Sequence, residues 1–414
     1  MQTEPRLPVI VMGRGPTALG ILRSLNLAGI TAYVACPPDD LVTRSRHFLA
    51  VPGCPHWDGS PGPQAFEALS SCALPRAVVI AGADDAALWL AELPHTALGW
   101  RFLASTASRE AQALLQDKSA FAGYLKAIQV PHPRTFRLTD AGDVDVIPFD
   151  TLGRVFLKPV NSQQFSDVTG VKGLWVDGAV ALREAWARFH AQGFRVMAQE
   201  YVPGPPGEHF FVDGFRDGQG AYAGLFARQR RRMSPPDFGN SSCSHAVPLS
   251  AVPEAVDSIR RVLDGVDYRG IFSAEFKRDP RDGSCRLIEV NTRAWTYVEF
   301  AARRGVNVCA MAWEDAQGGP VTRVASDYST GGHCIDLYHD MASVRRSPAS
   351  RHPGWIRLVV EWFRADLHVF RRDDPAPAWH FLRGLLRRRF SGSVRATQWR
   401  RDVFEGAPLG SDAK

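Results

Sequence analysis

No run of apolar residues in the 414-residue chain is long enough to span a bilayer, so a membrane-embedded protein is not expected. The opening Met-Gln-Thr-Glu-Pro-Arg lacks the zones of a secretory signal, and the apolar stretch after it reads as a strand entering a glycine turn. Cysteine is sparse and unpaired. The seven, at 36, 54, 72, 243, 285, 309 and 334, are odd in number and never spaced as C-x-x-C. That pattern argues for reduced thiols in a cytoplasmic protein and against a zinc site or a disulfide framework. Lysine is scarce too, with six among 49 cationic side chains. Where arginine carries most of the charge, a retained lysine marks a position that needs a compact point charge. No basic block is interleaved with aromatics, so nucleic acid is not an expected partner despite a net charge of +6. Phosphate or carboxylate ligands suit the arginine excess better. No internal repeat is present.

What is present begins with a composition that is 45% hydrophobic, enough for two or three domains with real cores. The most informative stretch is Ile271 to Trp295. Two short runs flank a Pro-Arg-Asp-Gly turn, which predicts a β-hairpin. Ser273, Glu275 and Lys277 fall on one face of the first run. In the second, Leu287, Glu289 and Asn291 are expected to share a face, with Ile288 and Val290 on the other. A hairpin centred on Asp282 sets Glu275 directly opposite Glu289. Two opposed carboxylates repel, and a site that keeps both charged calls for a cation, with hard oxygen donors favouring Mg²⁺. Asn291 adds a neutral oxygen. The competing reading is an exposed hairpin with solvated acids, and the Glu…Glu-x-Asn-x-Arg spacing favours the metal.

Glu275 followed by Glu289-Val-Asn291-Thr-Arg293 resembles the magnesium hairpin of the ATP-grasp superfamily, which includes D-alanine–D-alanine ligase, biotin carboxylase and carbamoyl phosphate synthetase. The resemblance implies ATP and Mg²⁺ (or Mn²⁺) as cofactors, with the metal on Glu275, Glu289 and Asn291. Other segments match in family order. Asp117-Lys118-x-x-Phe121, then Val130-Pro-x-Pro-x-Thr135, looks like the entry to the fold, where Lys118 would reach the nucleotide phosphates. Lys158, before Pro159 at a strand end, occupies the context of the second nucleotide lysine. The polar stretch Asn161–Gly173, with Lys172, fits a phosphate-covering loop and a plain linker about equally. Glu200, Tyr201 and Val202 stand where the interlobe hinge hydrogen-bonds adenine, and Glu208 where an acid binds the ribose. The run Arg228-Gln-Arg-Arg-Arg232, then Ser-Pro-Pro-Asp-Phe-Gly239, resembles carboxylate–amine ligases related to D-aspartate ligase. Arg228 and Arg232 would then face an anionic substrate or the leaving phosphate, and Arg293 would steady the transferring phosphoryl group.

The expected fold is therefore mixed α/β and α+β: an ATP-grasp fold with a Rossmann-like N-terminal domain and a helical C-terminal tail. The expected segments are 1–105 for the N-terminal α/β domain, 106–195 for the small lobe, 196–325 for the large lobe and 326–414 for a basic extension. Within the first, Leu7–Met12, the turn Gly13-Arg-Gly15, a helix and the strand Thr31–Cys36 make a βαβ unit. Its glycine spacing departs from G-x-G-x-x-G, so close packing is the first reading and a dinucleotide, with Asp39 and Asp40 near a ribose, the second. The implied activity is acyl activation: a substrate carboxylate attacks the γ-phosphate, and an amine then displaces phosphate. Two alternatives stand beside it, an NAD-dependent oxidoreductase on the glycine turn and a non-catalytic nucleotide-binding protein. The expected partners are small-molecule carboxylates and amines, with a homodimer allowed. In the tail, Trp355 to Phe390 is expected to be a basic amphipathic element, in which Trp379, Phe381, Leu382, Leu385 and Leu386 alternate with Arg383, Arg387, Arg388 and Arg389, an apolar stripe beside a guanidinium face. Docking onto the catalytic lobes is the first expectation for the tail, and contact with an anionic membrane the second.

Overall fold

The structure is a computed structural model and describes residues 6–160, 173–236, 239–347 and 354–390. Near the N-terminus, β1 (Val9–Met12), β2 (Ala32–Ala35), β3 (Ala77–Ala81) and β4 (Phe102–Leu103) form a parallel sheet in the order β2-β1-β3-β4. Their sequences are almost uninterrupted apolar runs because both faces are covered. Val9, Val11, Val78 and Ile80 pack on helix Gly15–Leu27, whereas Ile10, Met12, Val79 and Ala81 pack on the other side with Leu69 and Leu90.

The chain divides into two compact units, one made of Met1–Gln116 with Gly204–Phe381, the other of Asp117–Pro203 with Leu382–Lys414. The boundary falls inside the stretch 108–128 that the sequence pattern reads as one helix. It is two, Arg109–Gln116 and Lys118–Ala127, because Asp117 turns extended and its Oδ1 accepts from the backbone N–H of Ser119 and Ala120. Such a cap starts a new helix rather than continuing the old one.

In the second unit β5 (Thr135–Leu138), β6 (Val155–Pro159), β7 (Leu174–Val176) and β8 (Val196–Glu200) form an antiparallel sheet ordered β5-β8-β6-β7, backed by helix Ala179–Ala191. In the first unit β9 (His209–Arg216), β10 (Tyr222–Ser234), β11 (Asn240–Val247), β12 (Gly270–Arg278), β13 (Cys285–Asn291), β14 (Gly331–Ile335) and β15 (Asp366–Leu367) form one sheet in the order β13-β12-β9-β10-β11-β14-β15. All its pairings are antiparallel except β14 with β15.

Two bulges decide which side chains share a face. In the hairpin, Phe276 opposes Leu287 below the bulge and Glu275 opposes Glu289 above it, so Ile288 is the extra residue. The ladder near the turn pairs Arg278 with Cys285, half a residue off the expected centre, and the bulge restores the offset. The expected opposition of Glu275 and Glu289 is therefore present, but the expected common face of Leu287 and Glu289 is not. Leu287 lies with Phe276 in the core, and the inserted residue inverts the alternation before Glu289. In β10 the register slips between Arg230 and Arg232, leaving Arg231 exposed.

The tail as far as Phe381 is part of the first unit. Helices Leu337–Arg346 and Trp355–Arg364 follow β14, and Ala376–Phe390 follows β15. Asp374 is buried: its Oδ2 accepts from Arg23 Nε at 3.1 Å and Ser45 Oγ at 2.7 Å, and its Oδ1 from the Arg46 N–H at 2.9 Å. Arg371 and Arg23 both meet Glu299. The expected apolar stripe on the last helix is not covered in the way a docking face would be. Phe381 packs on the core, but Trp379, Leu382 and Leu386 are exposed.

Candidate active site

Directly opposed residues of neighbouring strands share a sheet face. Asn291 opposes Ser273, which opposes Asp213. Glu289 opposes Glu275, which opposes Phe211, which opposes Arg228. Lys277 opposes His209, and Arg230 lies two residues beyond Arg228 in unbroken register. One face thus gathers Glu275, Glu289, Asn291, His209, Lys277, Arg228 and Arg230.

Glu275 sits deepest in this set. Arg230 Nη2 donates to its Oε1 at 3.0 Å, and His209 Nδ1 lies 2.9 Å from the same oxygen and 3.0 Å from Arg230 Nη1. Burial alone would raise the Glu275 carboxyl, but Arg230 and His209 together hold it well below the carboxylate range, so it is an anion. Burial also pushes the His209 imidazole down to about 4 and the Lys277 ammonium down to about 8, with Arg230 adding to both. Glu289, by contrast, is partly exposed and makes no hydrogen bond or ion pair among the described residues. Asn291 Oδ1 accepts a long bond from Arg293 Nη2 at 3.3 Å.

The donor set fits a hard divalent cation. Glu289 and Asn291 offer oxygens without strong partners beside the ionised Glu275, and Mg²⁺ commonly completes its shell with phosphate and water. Among the described residues no three His, Cys, Asp or Glu side chains are grouped so as to hold a metal ion.

The other expected residues fall out differently. Arg228 is on the right face but is already paired, donating from Nε to the buried Asp213 at 2.7 Å, with Ser273 Oγ donating to the same carboxylate at 2.6 Å. Arg232 is on the wrong face. The slip at Arg231 sets it opposite Cys243, and it donates to Asp340 (2.8 Å) and Glu361 (3.1 Å) on two tail helices. Arg293 itself is a bidentate partner of Asp84, at 2.9 and 3.2 Å, and bridges the hairpin to the N-terminal domain. Glu208 ends the short turn Pro206–Glu208 on the approach to β9.

In the second unit Lys158 Nζ donates to Gln199 Oε1 at 2.8 Å, from β6 across to β8. Lys118 is the first residue of its helix, and Lys172 lies outside the described residues. Glu200 is buried, and its Oε2 accepts from the Arg134 N–H at 3.0 Å, so the side chain fixes the strand end while the backbone leaves the sheet. Tyr201 packs edge-on against Trp175, with ring centroids 4.7 Å apart, and Val202 is buried.

Residues that sequence reasoning passed over are Arg230, His209 and Lys277. Alternation within the arginine run would pick Arg230 together with Arg228, but only the register tells that the alternation stops there. At the glycine turn, the N–H of Gly15 donates to Asp40 Oδ2 at 2.8 Å, so a carboxylate already holds the helix start where a pyrophosphate would bind. Gly59, at φ +81°, also packs its Cα against the Ala35 carbonyl and the Gly13 amide, where no Cβ would fit. These contacts favour close packing, the first reading of the turn, over a dinucleotide site.

No protein-family model matches the chain. A D-aspartate ligase of Enterococcus faecium (strain Aus0004) is 24% identical over 217 residues, 49% of this chain and 49% of that protein, so the match spans about half the relative's length. Among solved structures, the biotin carboxylase of Campylobacter jejuni in complex with β,γ-ATP superposes with a TM-score of 0.60 at 16% identity, over 79% of this chain and 74% of that one. The carboxyaminoimidazole ribonucleotide synthase of Aspergillus clavatus complexed with ATP gives 0.58 at 14%, over 79% and 81%. The N5-carboxyaminoimidazole synthetase of Staphylococcus aureus gives 0.59 at 13%, over 84% and 87%. Taken with the parallel N-terminal sheet, the antiparallel four-stranded sheet and the mixed seven-stranded sheet, these likenesses show that the chain has the ATP-grasp fold.

Proposed function

We propose that the protein is an ATP-dependent ligase that activates a substrate carboxylate as an acyl phosphate and couples it to an amine, with release of ADP and phosphate. The observation that carries this reading is the register of the hairpin. Glu289 stands without a partner opposite the ionised Glu275, one step from Asn291. Bound MgATP supplies the γ-phosphoryl group and the metal charge that offsets its oxygens. Glu275, Glu289 and Asn291 are the residues that would hold that metal, and Arg293 would steady the phosphoryl group. In the second unit Lys118 and Lys158 would hold phosphate oxygens, and the backbone of Glu200 and Val202 the adenine. Glu208 is assigned to the ribose hydroxyls.

Arg230 and Arg228 change the substrate argument. Both are committed to carboxylates within the protein, so a substrate anion placed on this face meets donors already oriented by Glu275 and Asp213. Such preorganised donors need little rearrangement as charge develops on the acyl group.

The test is a screen of amino acids, small acids and bicarbonate for ATP-dependent phosphate release, with hydroxylamine as a trap and mass spectrometry of the products. A hydroxamate from one acid, replaced by an amide when the amine is supplied, is the expected result. Phosphate release with bicarbonate alone would move the assignment to N-carboxylation. Nucleotide binding without turnover on any acid would favour the non-catalytic alternative.

A further inference from the structure

Helix Trp355–Arg364 is fixed by its inner side. Leu358 is fully buried, Glu361 Oε2 accepts from Arg232 Nη1 at 3.1 Å, and Trp362 Nε1 donates to Asp340 Oδ2 at 2.8 Å. The rotation that turns these inward turns Ile356, Val359, Val360 and Phe363 outward, at the i, i+3, i+4, i+7 spacing of a single stripe. Ile356 is 85% exposed and Phe363 83%, with Trp355 beside them at 58%. An apolar stripe this open on an anchored helix is not loose packing; it is a surface with something to meet.

The charge around the stripe has one sign. Arg357 and Arg364 flank it, and Arg345 and Arg346 end the neighbouring helix; all four are exposed, and none makes an ion pair among the described residues. The acids of the same elements are turned elsewhere. Asp340 and Glu361 hold Arg232, Asp336 holds His339, and Asp366 holds Arg304.

We propose that this face is a binding surface for anionic lipid, with the stripe set into the headgroup boundary and the four arginines on the phosphates. The helix has ten residues, about 15 Å of rise, and no described helix is long and apolar enough to cross a membrane, so it lies in the plane of the surface. A second copy of the chain is the weaker occupant. A two-fold contact would bring the same arginine rim against itself, and like charges at a self-complementary interface repel. An anionic surface offers apolar depth and complementary charge at once.

The full-length chain is tested by flotation with vesicles of phosphatidylcholine, with or without phosphatidylglycerol, at low and high salt. Two double variants accompany it: Ile356→Ser with Phe363→Ser, and Arg357→Ser with Arg364→Ser. All four side chains point away from the inner contacts, and thermal melting checks that the fold is kept. The expected result is flotation with anionic vesicles at low salt that falls about tenfold or more in high salt and in each double variant. Failure to float with anionic vesicles overturns the proposal, as does undiminished flotation of the apolar double variant. Sedimentation velocity supplies the rival outcome. A dimer that Ile356→Ser with Phe363→Ser dissolves, in a chain that does not float, assigns the face to a second copy.

Discussion

The two faces of the seven-stranded sheet carry the same kinds of side chain put to different ends. On one face Arg228 and Arg230 meet Asp213 and Glu275, next to an acid, Glu289, that has no partner. On the other face Arg232 meets Asp340 and Glu361, and Ser242 Oγ, Cys243 Sγ and Trp362 Nε1 complete those carboxylates at 2.8, 3.5 and 2.8 Å. One network is closed and the other is left open at Glu289. A closed network of buried charges holds elements together, whereas an open one has capacity for something from outside. Arginines four residues apart in sequence, Arg228 and Arg232, are thus set on opposite faces of the sheet by a single inserted residue.

The largest effect expected from breaking this contrast is on the open face. Glu289→Ala should lower turnover by about 10³ or more with the fold retained, because it would remove a proposed metal ligand that no internal contact needs. Phosphate release and a melting curve measure the two halves of that statement, and near-normal turnover at ordinary Mg²⁺ removes the metal assignment. The closed face should respond in the opposite way. Arg232→Met leaves Asp340 buried without its guanidinium, at a cost of about 3–5 kcal/mol in stability. Turnover per folded molecule should stay near the original. A variant of unchanged stability but lost activity would return Arg232 to the reaction.

Next in size, Lys158→Ala should weaken ATP binding by about tenfold to a hundredfold, the worth of one charge-assisted hydrogen bond. Calorimetry that gives an unchanged nucleotide affinity removes the lysine from the phosphate site. The smallest expected effect is on pH dependence. Burial pushes His209, His245 and His368 each down to about 4, so all three are neutral in the folded protein at pH 6, while their unfolded counterparts begin to take up protons. The unfolded state then binds more protons, and stability should fall as pH drops from about 6.5 towards 4. Urea midpoints that are flat between pH 7 and pH 5 would contradict those burials.

The hairpin was legible because its turn residues and its acids sit in one short stretch, and local periodicity governs both. Its bulge was not. The pairing of Glu275 with Glu289 follows from counting outwards from Asp282, but the core position of Leu287 depends on an insertion that only the neighbouring strands enforce. Arg232 was misplaced for the same reason, since strand alternation extends from Arg228 through Arg230 and nothing local announces the slip. The break at Asp117 could have been read, because Asp followed by a helix former is an ordinary cap. Which helix of the tail carries the exposed stripe could not. Helical spacing predicts a stripe on Ala376–Phe390, yet the wider exposed stripe lies on Trp355–Arg364, whose inner side is chosen by Arg232 more than a hundred residues earlier.

The burial of Asp374 against Arg23 also has a bearing on how the chain is made. These partners lie 351 residues apart in sequence. At a synthesis rate of about 5–20 residues per second, Arg23 waits on the order of tens of seconds before its carboxylate leaves the ribosome. The N-terminal sheet can collapse early on its own apolar strands, but one of its helices carries a buried cation whose acidic partners, Glu299 and then Asp374, are made only much later. A ribosome stalled before residue 374 would therefore present an N-terminal domain that is compact yet incomplete. Limited proteolysis of such stalled chains would find its weak point near Arg23 and Ser45.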